Sequence, residues 1–180
     1  MAAAGRGVSA SEPDWSRERP RCFWDPSRRL LRAIRCYQVA RARPGVLPRL
    51  AARRWAISHR FWSVITQADI PLNARIGGGL LLPHPNGVVI HPRAEIGPNC
   101  QIMQQVTVGV ASGRRGVPRL GGHVDIGAGA RILGPVTLGD HAAVGANAVV
   151  TRDVPAGAIA RGVPARVHLP APAGQKATDG

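Results

Sequence analysis

Aromatic side chains are scarce in this 180-residue chain, at 4% against 44% hydrophobic residues overall. A core of that composition is aliphatic, and a nucleic-acid surface built on stacked aromatics is poorly supplied. Lysine is nearly missing. Lys176 is the sole one, so arginine carries almost all of the formal +14 charge. Cysteine is limited to Cys22, Cys36 and Cys100, an odd number without a CxxC pair, which argues against a disulfide framework and against a zinc ribbon. No apolar run approaches the roughly 18 residues that span a bilayer. The opening MAAAGRGVSASEPDW has no apolar h-region, so no secretory signal is expected there. A cytoplasmic, thiol-reduced protein with neither membrane nor nucleic-acid partners is the expectation.

What charge there is lies unevenly. Residues 1–66 hold fourteen arginines against four acidic residues, and residues 67–180 hold ten basic against six acidic. A basic extension can bind anionic partners, but a solvated helical surface explains it as well. Residues 1–25 are polar and small, and read as a disordered basic N-terminus. Residues 26–67 read as a short helical region. RRLLRAIRCYQVARAR places Leu30, Ile34 and Tyr37 at helical spacing, Pro44-Gly45 interrupts, and LPRLAARRWAISHRFWSVI offers Leu50, Ile57, Phe61 and Ile65. Two such helices can pair and cap something larger. Residues 168–180 read as a flexible tail.

Between them, over 68–167, lies a repeat. Stepping by six from Ile70 meets Ile76 and Leu82; after a two-residue insertion come Ile90, Ile96, Ile102 and Val108. After an interval of twelve come Leu120, Ile126, Ile132, Leu138, Val144 and Val150, so all thirteen positions are Ile, Leu or Val. Four residues beyond most of these sits a small side chain, such as Ala74, Ala94, Cys100, Ala130 or Ala148. A period of six fits neither a continuous helix nor an uninterrupted strand. It fits short strands joined by turns, three hexapeptides to a triangular coil, with coils stacked at the strand spacing of about 4.8 Å. The fold class is therefore mainly β: a left-handed parallel β-helix of hexapeptide repeats, preceded by a short α-helical region that caps one end.

Two departures from the period are candidate functional ground. One is the insertion at Pro83–Val89, PHPNGVV. The other is Gly109–Arg119, GVASGRRGVPR, whose glycines and arginines suit an outward loop. The stretch ADIPLNARIGGGLLLPHPNGVVI, with QQVTVG at Gln104–Gly109, IGAGARILG at Ile126–Gly134 and RGVPARV at Arg161–Val167, resembles the serine O-acetyltransferase family, in a short form. RGVPARV is common to many hexapeptide acyltransferases; the spacing from Asp69 to His84 and Gly87 is more specific.

The resemblance implies acetyl transfer from acetyl-CoA to a hydroxyl acceptor, with His84 as general base and Asp69 as its carboxylate partner. A serine hydroxyl attacks a thioester poorly until its proton is removed, and imidazole can take that proton near neutral pH. No covalent enzyme intermediate and no metal are required. It further implies acceptor contacts from Gln104, Arg114 and Arg115. Coenzyme contacts would come from Gly109, from Ala128 and Ala146 on successive coils, and from Arg161 and Arg166 toward the phosphates. The alternative for His84 is a solvated loop histidine, His91 is its nearest rival, and Asp69 can also serve as a cap where helix meets coil.

The pattern also departs from the family. Pro83 stands where an aspartate usually precedes the histidine, and Gly116-Val117 stand where an Arg-His pair usually precedes the loop proline. Serine is the expected acceptor, with a sugar, antibiotic or other small hydroxyl compound as the alternative. A zinc-dependent carbonic anhydrase on the same helix would need three converging histidines, and His84, His91, His123 and His141 show no tight ligand spacing. A basic, non-catalytic binding protein is the remaining alternative. The resemblance also implies a homotrimer or a dimer of trimers with the site between subunits. The KATDG terminus lacks the terminal isoleucine by which many members bind O-acetylserine sulfhydrylase, so no tail-mediated complex with that enzyme is expected.

Overall fold

The structure is a computed structural model that describes residues 7–113 and 115–169. Arg114 and the sulfhydrylase-related tail at 170–180 lie outside the described residues. Three parallel sheets wind into a left-handed β-helix. One face stacks Arg75–Ile76, Glu95–Ile96, Arg119–Leu120 and Thr137–Leu138. The second stacks Val89–Ile90, Thr107–Gly109, Arg131–Leu133 and Val149–Val150. The third runs from Gln101–Ile102 through Asp125–Ile126 and Ala143–Val144 to Ile159–Arg161, and closes with the antiparallel strand Arg166–His168. All thirteen aliphatic positions of the period are buried, and so are the small residues that follow them.

The ladder register records each departure from the period. Thr107 lies beside Val89 at the regular eighteen. Pairs that straddle the insertion are spaced by twenty, as in Arg75 with Glu95 and Leu81 with Gln101. Pairs that straddle the outward loop are spaced by twenty-four, as in Thr107 with Arg131. The coil wall therefore continues undisturbed while PHPN and the loop leave it. Corners demand left-handed backbone, which Asn and Gly tolerate best. One corner column runs through Gly79, Asn99, His123, His141 and Gly157, all with positive φ. On it the Nδ1 atoms of His123 and His141 approach to 2.9 Å.

Helix α1 (Pro26–Arg41) starts with proline at its first turn and turns Leu30, Leu31 and Ile34 into the open end of the coil. Gln38 donates to the carbonyls of Leu72 and Ala74 on the first coil. Helix α2 (Val46–Thr66) faces the coil with His59, Trp62 and Thr66; His59 Nε2 lies 2.8 Å from the Ile70 carbonyl. The four residues expected to form its packing face, Leu50, Ile57, Phe61 and Ile65, point away instead and are exposed. Periodicity found an apolar stripe there, but a second stripe, richer in small and polar residues, faces the coil.

Disorder does not extend through residues 7–25. This strap lies along the coil and is held by Asn99, whose Nδ2 donates to the carbonyls of Ser9 and Glu12 while its Oδ1 accepts from the Asp14 N–H. A side chain at Gly122 would collide with the Ala10 carbonyl, so the strap passes in direct contact with the corner. A 3₁₀ turn, Trp15–Glu18, then buries the Glu18 carboxylate. Arg35 of α1 donates to both Glu18 oxygens, at 3.0 and 2.8 Å, and its remaining donors reach the carbonyls of Ile76 and Gly77. The Leu80 N–H donates to the same carboxylate. Strap, helix and coil meet at this one part-buried ion pair. Nor is the stretch basic: Glu12, Asp14, Glu18 and Asp25 balance the four arginines of residues 1–25.

Candidate active site

The insertion leaves the coil after Leu82 and rejoins it at Val88, whose N–H donates to the Pro85 carbonyl. Pro83 and Pro85 restrict the backbone on either side of His84. The imidazole is exposed and lines a cleft of ≈ 650 Å³. Thr66 and Gln67, at the end of α2, form part of the opposite wall. Gln67 ends the helix in left-handed conformation, accepts from the Gly87 N–H through its carbonyl, and accepts from Asn86 through its side chain. The helix end and the insertion are thereby fixed to each other.

The remaining wall comes from the strap, which sequence reasoning missed. Arg21, Trp24 and Asp25 enter the same cleft. Asp25 is half-buried and accepts from the Arg28 guanidinium at 3.2 Å and from the Arg21 backbone N–H at 3.1 Å. Arg28 also donates from Nε to the Arg17 carbonyl, so its charge is committed. The Arg21 guanidinium, by contrast, is exposed and forms no ion pair among the described residues. Trp24 rests edge-on against Trp62 of α2, with 5.7 Å between ring centroids. One imidazole, one free cation and one carboxylate therefore border a single cleft.

Of the described residues proposed from the sequence as catalytic or binding groups, only His84 lines this cleft. Asp69 occupies the first rung of the coil, beside Val89, with its backbone N–H on the Val88 carbonyl. Its side chain is exposed and makes no hydrogen bond or ion pair to His84. Gln104 lies one coil below the insertion, where the Asn86 carbonyl accepts from Gln105, and its buried Oε1 has no partner. Gly109 is buried opposite Leu133 at the root of the loop, and Arg115 is exposed on the loop itself. Ala128 and Ala146 stack, since the Asn147 N–H donates to the Ala128 carbonyl. Arg161 and Arg166 lie directly opposite each other on the closing antiparallel pair, both exposed and without an acidic partner among the described residues. Like charges in that position repel unless an anion lies between them.

His91 uses its Nδ1 to accept from the Arg93 N–H and does not border the cleft. Among the described residues no group of three or more His, Cys, Asp or Glu is placed to hold a metal ion. Cys100 is buried among the aliphatics, and burial pushes its thiol up to about 12.

No family model matches the chain. It is 38% identical over 142 residues to the serine acetyltransferase of Synechococcus elongatus, an alignment covering 75% of this chain and 55% of that protein. It is 39% identical over 138 residues to the serine acetyltransferase of Helicobacter pylori strain J99, covering 76% and 79%. The chain belongs to the serine acetyltransferase family. A soybean serine acetyltransferase, solved in complex with serine, superposes with a TM-score of 0.61 at 40% identity, over 76% of this chain and 56% of the soybean one. The chain thus spans little more than half the length of the Synechococcus and soybean relatives.

Membership gives the departure at Gly116-Val117 a physical reading. Gly116 has a φ of +124°, and a Cβ there would meet the Pro135 ring at 2.7 Å. The loop is seated on Pro135 by this glycine, followed by the buried Pro118. No arginine can take position 116 without moving the loop.

Proposed function

We propose that the chain is an acetyl-CoA-dependent O-acetyltransferase with serine as acceptor, acting in cysteine biosynthesis, and that His84 is its general base. The observation that carries this reading is the charge pattern around His84. A free amino acid is a zwitterion, and the lining of the His84 cleft includes the unpaired Arg21, suited to a carboxylate, and Asp25, an anion held by Arg28 that can also face an ammonium. His84 takes the hydroxyl proton as the acceptor oxygen attacks the thioester carbonyl; the C–O bond forms, the C–S bond breaks, and the imidazolium returns the proton to the departing thiolate. Asp69, exposed on the first rung of the coil, is the carboxylate assigned to support the imidazolium. The unpartnered Gln104 oxygen suits a donor on a bound ligand. The facing Arg161 and Arg166 suit the coenzyme's phosphates, with Ala128 and Ala146 leaving room for its arm.

These groups lie apart from the cleft on one protomer, which favours a trimer in which a neighbouring coil completes the site. A second reading, transfer to a different small hydroxyl acceptor, is favoured by the glycine at 116, which removes a cation from the loop.

Thiol release from acetyl-CoA against serine and a panel of other hydroxyl acceptors tests both readings. Serine is expected to be the best acceptor. His84→Ala is expected to cost about 10²–10⁴-fold in turnover with an unchanged melting curve, and Asp69→Asn less. Turnover of His84→Ala within threefold of the parent overturns the base assignment, and a non-amino-acid acceptor preferred over serine selects the second reading.

A further inference from the structure

Helix α2 carries an apolar seam that the protomer does not use. Leu47, Leu50, Ile57, Phe61 and Val64 are 79, 52, 73, 52 and 67% exposed. Their spacing is that of the a and d positions of three heptads, with Arg54 in the one remaining a position. The f positions, Ala52, His59 and Thr66, lie on the opposite, inward side of the helix, with Ala52 and Thr66 buried and His59 on the Ile70 carbonyl. A groove of ≈ 490 Å³ between the two helices, lined by Cys36, Val39, Leu47, Ala51 and Trp55 and bordered by Arg35 and Arg43, continues the apolar surface. We propose that this face docks an amphipathic helix of another protein, one with acidic residues flanking its own apolar seam.

The charge pattern selects that partner. Arg53 and Arg60 occupy g positions, Arg49 lies in the next row, and α2 contains no acidic residue. None of Arg49, Arg53, Arg54 or Arg60 forms an ion pair among the described residues. A second copy of α2 fits poorly in either direction. Antiparallel pairing sets the g rows face to face, arginine on arginine, and parallel pairing sets Arg54 against itself in the seam. A helix with Glu or Asp along its flanks turns each of these repulsions into an attraction. A membrane surface fits less well, because Arg54 lies within the apolar stripe and would be carried toward the acyl region, where a cation is costly.

The test uses the full chain and a labelled synthetic helix with Leu at a and d and Glu at e and g, titrated by fluorescence anisotropy. A twin peptide has Lys in place of Glu. Saturable binding of the Glu peptide, weakened by salt and at least about tenfold tighter than the Lys peptide, is expected. An Ile57→Glu, Phe61→Glu variant should bind the Glu peptide at least about tenfold more weakly and melt like the parent, because both side chains lie outside the core. Equal binding of the two peptides, or none, overturns the proposal. So does a parent assembly that the double variant dissociates in sedimentation, which makes a second copy the occupant. Retention on phosphatidylglycerol-containing vesicles, lost in the variant and without peptide binding, assigns the face to a membrane.

Discussion

The coil and α2 are both rich in aliphatic residues, yet they use them oppositely. In the coil every repeat position points inward, because a triangular turn has one interior and each side chain is either in it or out of it. In α2 two stripes compete for the inside, and the one with the larger hydrophobic residues lost. The period of six encodes a destination along with a pattern. The period of 3.6 encodes a pattern alone, and what lies next to the helix decides which stripe is buried.

The sharpest way to break this comparison is at the joint between the two regions. Glu18→Ala leaves the part-buried Arg35 guanidinium without its carboxylate though still on two carbonyls, and the expected loss is about 2–3 kcal/mol, below the range for a fully buried pair. Urea denaturation measures it. A loss below about 1 kcal/mol would mean that the strap is an ornament on the coil. Matched substitutions within the regions come next. Ile132→Ala, in the coil interior, should cost about 2–5 kcal/mol. Ile57→Ala, on the outer stripe of α2, should change stability by less than about 0.5 kcal/mol. Equal losses would show that the outer stripe is covered in solution.

The smallest effect belongs to the corner column. Burial holds the His123 imidazole below its ordinary value of 6.5, opposed by Asp125 and reinforced by His141 and Arg17. The unfolded chain therefore takes up the proton first as pH falls, so stability should decline below about pH 6.5 and be fully present above it. The hydrogen bond at 2.9 Å runs in the same direction, since it needs one bare nitrogen in the pair. His123→Asn, which also suits left-handed backbone, should flatten melting temperature against pH over that interval. An unchanged slope would assign the acid sensitivity elsewhere.

The coil was legible from the chain because its rule is local and repeated: thirteen positions, two interruptions, both of them where the ladder register shifts. His84 was legible through its place in one interruption and its likeness to a known pattern. Trp24 and Asp25 were not, because nothing near them in sequence announces a cleft; they reach it only through Asn99, Arg35 and Trp62, each far along the chain. The strap has no period at all. Its order comes from hydrogen bonds that spend single polar groups, Asn99 and Glu18 above all, and such groups carry no signal until their partners are known.

The strap's anchorage also has an order in time. The Asp14 N–H donates to Asn99, 85 positions later, and the Ser9 carbonyl accepts from the same residue, 90 positions later. During synthesis the N-terminus emerges first, at about 5–20 residues per second, and finds no corner to lie on until the second coil has left the ribosome. The first residues made are thus among the last to gain their partners. Because they carry one wall of the His84 cleft, a nascent chain can possess its coil and His84 before that cleft has all its walls.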